Sequence, residues 1–140
     1  MRRHHIAAVV ALLLVVRGGP AHAQELRQAV DRTRQAWLSH DAEQMLAGSD
    51  TVTLLLPGRG PAVAWIPGQA ARVLSAHLAQ AREREFSVTD VRQVGNDRAY
   101  AEARRRYVVA GTSDLLEDTV MLGFVRRAGG WRVSEVRIGR

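Results

Sequence analysis

The sequence predicts an α+β domain in which three helices come first and a curved antiparallel sheet follows. Apolar residues recur at helical spacing from Glu25 to about Arg84, interrupted only by two short strand-like runs. From Phe86 the apolar period changes to two and holds to Ile138. Within that second part, Gly129-Gly130 separates the alternating run of Val120, Leu122 and Phe124 from a second run opened by Trp131. Tight hairpin turns need positive φ, which glycine supplies without steric cost, so Glu117 to Ile138 reads as the closing hairpin of the sheet.

The chain begins with Arg2, Arg3, His4 and His5, followed by an uninterrupted apolar run from Ile6 to Val16 and by Ala21-His22-Ala23. A basic start, a short apolar stretch and small residues at a cleavage position make a secretory signal peptide over residues 1–23. The apolar run is too short for a membrane span, which needs about 20 such residues. No cysteine follows it, so no lipid anchor is expected. The expected product is a domain over residues 24–140, periplasmic or extracellular after cleavage near Ala23, with no membrane span in the mature chain.

Cleavage would remove Arg2, Arg3 and Arg17 and no acid, so the formal charge of +6 falls by half. That balance, with few aromatic residues, argues against a nucleic-acid partner. Without cysteine, no disulfide framework supplements the core and no thiolate chemistry is available.

In chain order, Leu26, Ala29, Val30, Thr33 and Trp37 fall on one face of a first amphipathic helix. Asp41 with Gln44 three residues on resembles a capping box and opens a short second helix carrying Met45 and Leu46, closed by Gly48. The run Thr51 to Leu56 reads as a buried strand that stops at Pro57-Gly58, and Ala62 to Trp65 as a short return strand. Pro67 suits the first turn of a third helix from about Gly68 to Arg84, with Ala70, Leu74, Leu78 and Ala81 as its apolar stripe. Strands then follow from Phe86 to Val94, from Arg98 to Val109, and through the closing hairpin, joined by turns at Gly95-Asn96-Asp97 and from Gly111 to Asp114.

Pairing the hairpin with Gly129-Gly130 as a two-residue loop sets Phe124 opposite Glu135 and Leu122 opposite Arg137. Opposed residues share a face, so Val120, Leu122, Phe124, Trp131, Val133, Glu135 and Arg137 are expected on the core face. Met121, Val125, Val136 and Ile138 fall on the other. On the preceding strand Ala99, Ala101, Ala103, Tyr107 and Val109 form the apolar set, which by alternation turns Arg105 inward and Arg104 and Arg106 outward.

The first helix ending in a His-Asp step, the strand stopping at Leu56-Pro57-Gly58, the helix containing Gln69-Ala70-Ala71-Arg72-Val73-Leu74, and the final Gly130-Trp131-Arg132-Val133 strand resemble the nuclear transport factor 2-like superfamily. That superfamily also covers polyketide-cyclase-like and ketosteroid-isomerase-like proteins, and the chain is most similar to a small exported bacterial branch of uncharacterised function. The resemblance spans nearly the whole mature chain and implies a cone, with helices packed into a strongly curved sheet and a pocket at the open end. Fold relatives commonly dimerise through the outer sheet face, so the resemblance also implies a homodimer.

The expected ligand pocket comprises Trp37, Trp65, Arg105, Tyr107, Phe124, Glu135 and Arg137. Glu135 and an arginine there would serve as a structural ion pair, or the arginines would hold an anionic or polar small molecule; the partner expected for the pocket is a small apolar or anionic ligand. The resemblance further implies an acid or base in the last strands, which makes Glu135 the candidate general base, with Tyr107 or His77 as its catalytic partner. No metal spacing, phosphate loop or nucleophile elbow is present in the sequence, and neither a metal nor a cofactor is expected. His40 is expected to help close a helix end and His77 to pack at the core margin. Lacking a recognisable catalytic set, the sequence favours a non-enzymatic small-molecule-binding or interaction module of the cell envelope. An isomerase, dehydratase or hydrolase using a pocket carboxylate is the alternative, and docking through the outer sheet face is the third reading.

Overall fold

A computed structural model describes residues 19–140. The expected signal peptide falls mainly outside the described residues, and its last positions, from Gly19, lie within the first helix. That helix, α1, is Gly19–Leu38, starting earlier than the apolar stripe suggests. It is followed by α2 (Ala42–Met45), β1 (Val52–Leu55), β2 (Val63–Trp65), α3 (Pro67–Leu78), β3 (Ala81–Val94), β4 (Arg98–Val109), β5 (Leu115–Arg127) and β6 (Gly130–Gly139). Among the described residues no helix is long and apolar enough to cross a membrane.

The six strands lie in the order β2-β1-β6-β5-β4-β3, curled around the helices without closing. β3 to β6 form the expected antiparallel meander, whereas β1 runs parallel to β6, which makes the sheet mixed. The helices fill the concave side with Leu26, Val30, Trp37, Leu74 and Leu78, packed against Phe86, Leu122, Phe124 and Val136. Ala99, Ala101 and Ala103 on β4 are fully buried and leave room for that layer.

Two expectations about β3 and β6 change. The third helix ends at Leu78 rather than Arg84, because Ala81, Arg82 and Glu83 pair with Val109, Val108 and Tyr107 of β4. Good helix formers are held extended there by neighbouring strand contacts, a case of tertiary pairing overriding propensity. β3 also carries two bulges, at Arg84 and Thr89. An extra residue reverses the alternation, so Glu83 and Phe86 share the inner face despite their odd spacing.

The hairpin differs in the same way. Its loop is Ala128-Gly129, flanked by the pair Arg127 and Gly130, and Phe124 faces Val133. This shift of two preserves the expected facing. A bulge at Ser134 then sets Gly123 opposite Glu135, Leu122 opposite Val136 and Met121 opposite Arg137. Val136 and Ile138 are therefore in the core, and Glu135 and Arg137 lie on the outer face, where they pair with each other. Gly123 accommodates the bulge, since a Cβ there would come within 2.9 Å of the Glu135 Cβ.

Candidate functional site

The helix junction supplies the first part of the site. α1 ends with His40 in the left-handed region at φ 55°, its N–H donating to the Trp37 carbonyl while the Asp41 N–H donates to that of Ala36. These two bonds satisfy carbonyls that a helix end leaves free. A non-glycine residue in this conformation costs about 1–3 kcal/mol, and here it carries the imidazole to Glu83, with Nε2 3.3 Å from Oε1. The expected role of His40 at a helix end thus falls to its backbone, and its ring joins a buried charge cluster.

At the centre of that cluster is Arg105, 1% exposed on the inner face of β4 as alternation predicts. Its guanidinium binds Glu83 in a bidentate manner, with Nε 3.0 and 3.1 Å from the two carboxylate oxygens. Nη1 lies 3.6 Å from Asp118 Oδ2 on β5, directly across the strand pair. The same guanidinium sits 4.0 Å from the Tyr107 ring centre and 5.5 Å from that of Trp37. Trp37 in turn packs on Phe86, with ring centres 4.9 Å apart. Two carboxylates and two aromatic faces thus compensate one arginine removed from water, as a buried cation requires.

Asp118 is the open end of this arrangement. Its side chain is 1% exposed, yet Oδ1 accepts no hydrogen bond; the Arg140 Nε is 3.7 Å away, beyond hydrogen-bonding distance. Asp118 also lines a cavity of about 280 Å³ bounded by the β1 turn (Pro57, Gly58, Arg59), the end of α3 (His77, Gln80), Arg105, Tyr107 and Arg140. A larger hollow of about 370 Å³ lies between α1 and the hairpin tip, but it is bordered by the exposed Glu25 and the partly exposed Arg126 and holds no buried ion pair. Among the described residues no cluster of His, Cys, Asp or Glu is arranged to hold a metal ion.

Burial pushes the Tyr107 phenol above its ordinary pKa, and its hydrogen bond to the Asp118 carboxylate and that group's charge add to this against the nearby Arg140 and Arg105, so the hydroxyl stays protonated and donates towards Asp118. His77 is lowered from 6.5, mainly by burial and further by Arg105 and Arg59, against the opposing pull of Asp118 and Glu83. Between the folded pKa and 6.5 the unfolded chain therefore binds a proton that the folded chain does not. The stability contributed by the neutral ring is present above 6.5 and is lost as pH falls through that value. In urea titrations the wild type is expected to lose more stability between about pH 7.5 and 5.5 than His77→Gln. Equal losses would show that the ring does not feel the cavity.

Of the residues expected in the pocket, the structure gathers Trp37 and Tyr107 around Arg105; Arg105 and Tyr107 border the cavity together with the catalytic candidate His77, and Trp37 does not. Phe124 is buried in the core, and Trp65 is partly buried against it; neither borders the cavity. Glu135 and Arg137 are excluded by the bulge at Ser134. Glu83 and Asp118 were missed. For Asp118 the signal was present, since it precedes Val120, Leu122 and Phe124 in the same alternation. Glu83 was hidden by its assignment to the end of a helix.

No protein-family profile and no curated protein matches the chain. Solved structures do. A ketosteroid isomerase-like protein from Erwinia carotovora atroseptica superposes with a TM-score of 0.68 at 17% identity, covering 86% of this chain and 96% of that one. A domain of unknown function with a cystatin-like fold from Nostoc punctiforme gives 0.68 at 17% identity, covering 88% and 79%. A nuclear transport factor 2-like protein of unknown function from Shewanella oneidensis gives 0.63 at 11% identity, covering 84% and 98%. Such agreement over nearly whole chains at so low an identity is agreement of architecture. Three helices held in a curled, unclosed six-stranded sheet make this chain a nuclear transport factor 2-like fold.

Proposed function

We propose that this is an exported protein of the cell envelope that binds a small polar molecule at the mouth of the cone. The observation that carries the reading is the Asp118 carboxylate, a buried anion at the cavity wall with one oxygen left without a donor. A buried acceptor without a partner is costly, and a bound molecule supplying a donor would remove that cost. The cavity is near the small end of the range for ligand sites, with polar groups converging from several separate elements.

Acid–base catalysis is a second reading favoured by the same atom. Asp118 would take a proton there, with the protonated Tyr107 or the neutral His77 as the donor or polarising group. Association of two copies through the outer sheet face loses Val136 and Ile138 as apolar contacts, so the pocket carries the proposal. The test is native mass spectrometry of the full chain expressed in a bacterium and purified from the periplasm. The expected result is a chain beginning at Gln24 with a small molecule retained at one per chain. Retention of the N-terminal segment in the cytoplasm would refute export. A chain that neither retains nor takes up any small molecule, with no NMR shifts at His77 and Tyr107 across a ligand library, would refute binding.

A further inference from the structure

We infer that the ligand of this cavity is a small hydroxycarboxylate, held at its carboxylate by Arg59 and Arg140 and at its hydroxyl by Asp118 Oδ1. The inference rests on the cavity being a binding site. Its basis is the inventory of donors and acceptors that remain once the protein has satisfied itself. Arg105 lines the cavity with Nε and Nη2 hydrogen-bonded to Glu83 and with Nη1 3.6 Å from Asp118 Oδ2. Gripping a ligand anion with Nε or Nη2 would release Glu83, a buried carboxylate. Arg59, exposed on the turn after β1, pairs with no carboxylate among the described residues. Arg140 stands 3.7 Å from Asp118 Oδ1 and beside the Tyr107 hydroxyl, and most of its side chain is exposed. Two largely exposed guanidinium groups thus reach one cavity from the ends of the neighbouring parallel strands β1 and β6, an arrangement suited to the planar oxygens of a carboxylate.

The buried wall demands the opposite chemistry. Asp118 Oδ1 needs a donor, and an ionised carboxylate has none. A plain organic acid would satisfy the arginines and leave Asp118 unchanged. An amine would satisfy Asp118 but would meet Arg59, Arg105 and Arg140 around a single lining carboxylate, with His77 held towards its neutral form by burial and by two of those same arginines. A hydroxyl donates to Asp118 without adding positive charge. Both demands are met by one molecule that carries a carboxylate at the mouth and a hydroxyl at depth. The cavity's 280 Å³ lies just under the range of about 300–1,000 Å³ for small-molecule sites, which calls for a compact ligand.

The experiment is calorimetric titration of the full chain with malate, with succinate as the same diacid without the hydroxyl, and with glycerol and choline as neutral and cationic probes. His77 and Tyr107 are followed by NMR in parallel. Malate is expected to bind at least about tenfold more tightly than succinate, with shifts at both residues, and glycerol and choline are expected to be silent. Arg59→Ala, on an exposed turn where it cannot disturb the core, is expected to weaken malate about tenfold, as is Arg140→Ala. Asp118→Asn is expected to abolish the preference of malate over succinate. Equal binding of malate and succinate, or no effect of Arg59→Ala and Arg140→Ala, would overturn the inference. Silence of both acids while choline or glycerol shifts His77 would overturn the ligand class and leave the binding reading standing. Silence of all four probes would overturn the hydroxycarboxylate class, and the library screen of native protein decides separately whether the cavity binds at all.

Discussion

Arg105→Met is expected to cost about 3–5 kcal/mol of folding stability, the range for removing one partner of a buried ion pair. The residue is 1% exposed and stands between Glu83 and Asp118, whose side chains are 3% and 1% exposed. Removing the cation leaves two carboxylates in the interior, with His40 at 3.3 Å from one and Arg140 at 3.7 Å from the other as their remaining basic partners among the described residues. Methionine keeps much of the arginine stem's volume against Trp37 and Tyr107, so the loss is one of charge compensation rather than of packing. Total stability of a domain this size is about 5–15 kcal/mol, so the substitution takes a large part of it. The double variant Arg105→Met with Glu83→Gln is expected to be more stable than Arg105→Met alone, since it leaves one buried charge fewer. Urea denaturation of the four members of the cycle measures the coupling. A loss below about 1 kcal/mol for Arg105→Met would place Arg105 among ordinary surface ion pairs and refute the buried cluster.

Val136→Asp is expected to prevent folding or to cost more than about 4 kcal/mol, while Glu135→Ala next to it is expected to change stability by less than about 0.5 kcal/mol. Val136 is fully buried opposite Leu122. Replacing it forfeits the transfer of an aliphatic side chain, about 1.5–3 kcal/mol, and adds a carboxylate with no cation beside it. Glu135 lies on the outer face beside Arg137, which is 45% exposed, and exposed pairs contribute little. The contrast tests the bulge at Ser134 directly. Without the bulge the alternation that buries Trp131 and Val133 would continue to Glu135 and Arg137, and the two substitutions would exchange their effects. Circular dichroism and urea titration of both variants separate the two registers.

What the sequence by itself determined was whatever depends on local periodicity over an uninterrupted element. The stripe of Leu26, Ala29, Val30 and Trp37 marked α1, Asp41 marked the start of α2, and the alternation of Ala99, Ala101 and Ala103 turned Arg105 inward. Helix and strand periods, caps and glycine turns act within a few residues, so they can be read from the chain alone. The order of elements, the α+β class and the antiparallel meander followed from them.

Only the tertiary structure decided the chemistry of the site. Ala81 to Glu83 have helical composition and became strand because β4 offered them partners. Glu83 reached Arg105 only through that change, and the bulge at Arg84 let it share a face with Phe86. The bulge at Ser134 removed Glu135 and Arg137 from the cone and delivered Val136 and Ile138 to it. A bulge is a single unpaired residue fixed by the partner strand, here by the space above Gly123, and it leaves no mark in periodicity until the phase has already reversed. Because every side chain beyond it changes face, one such residue removed Glu135 and Arg137 from the candidate site without altering the fold.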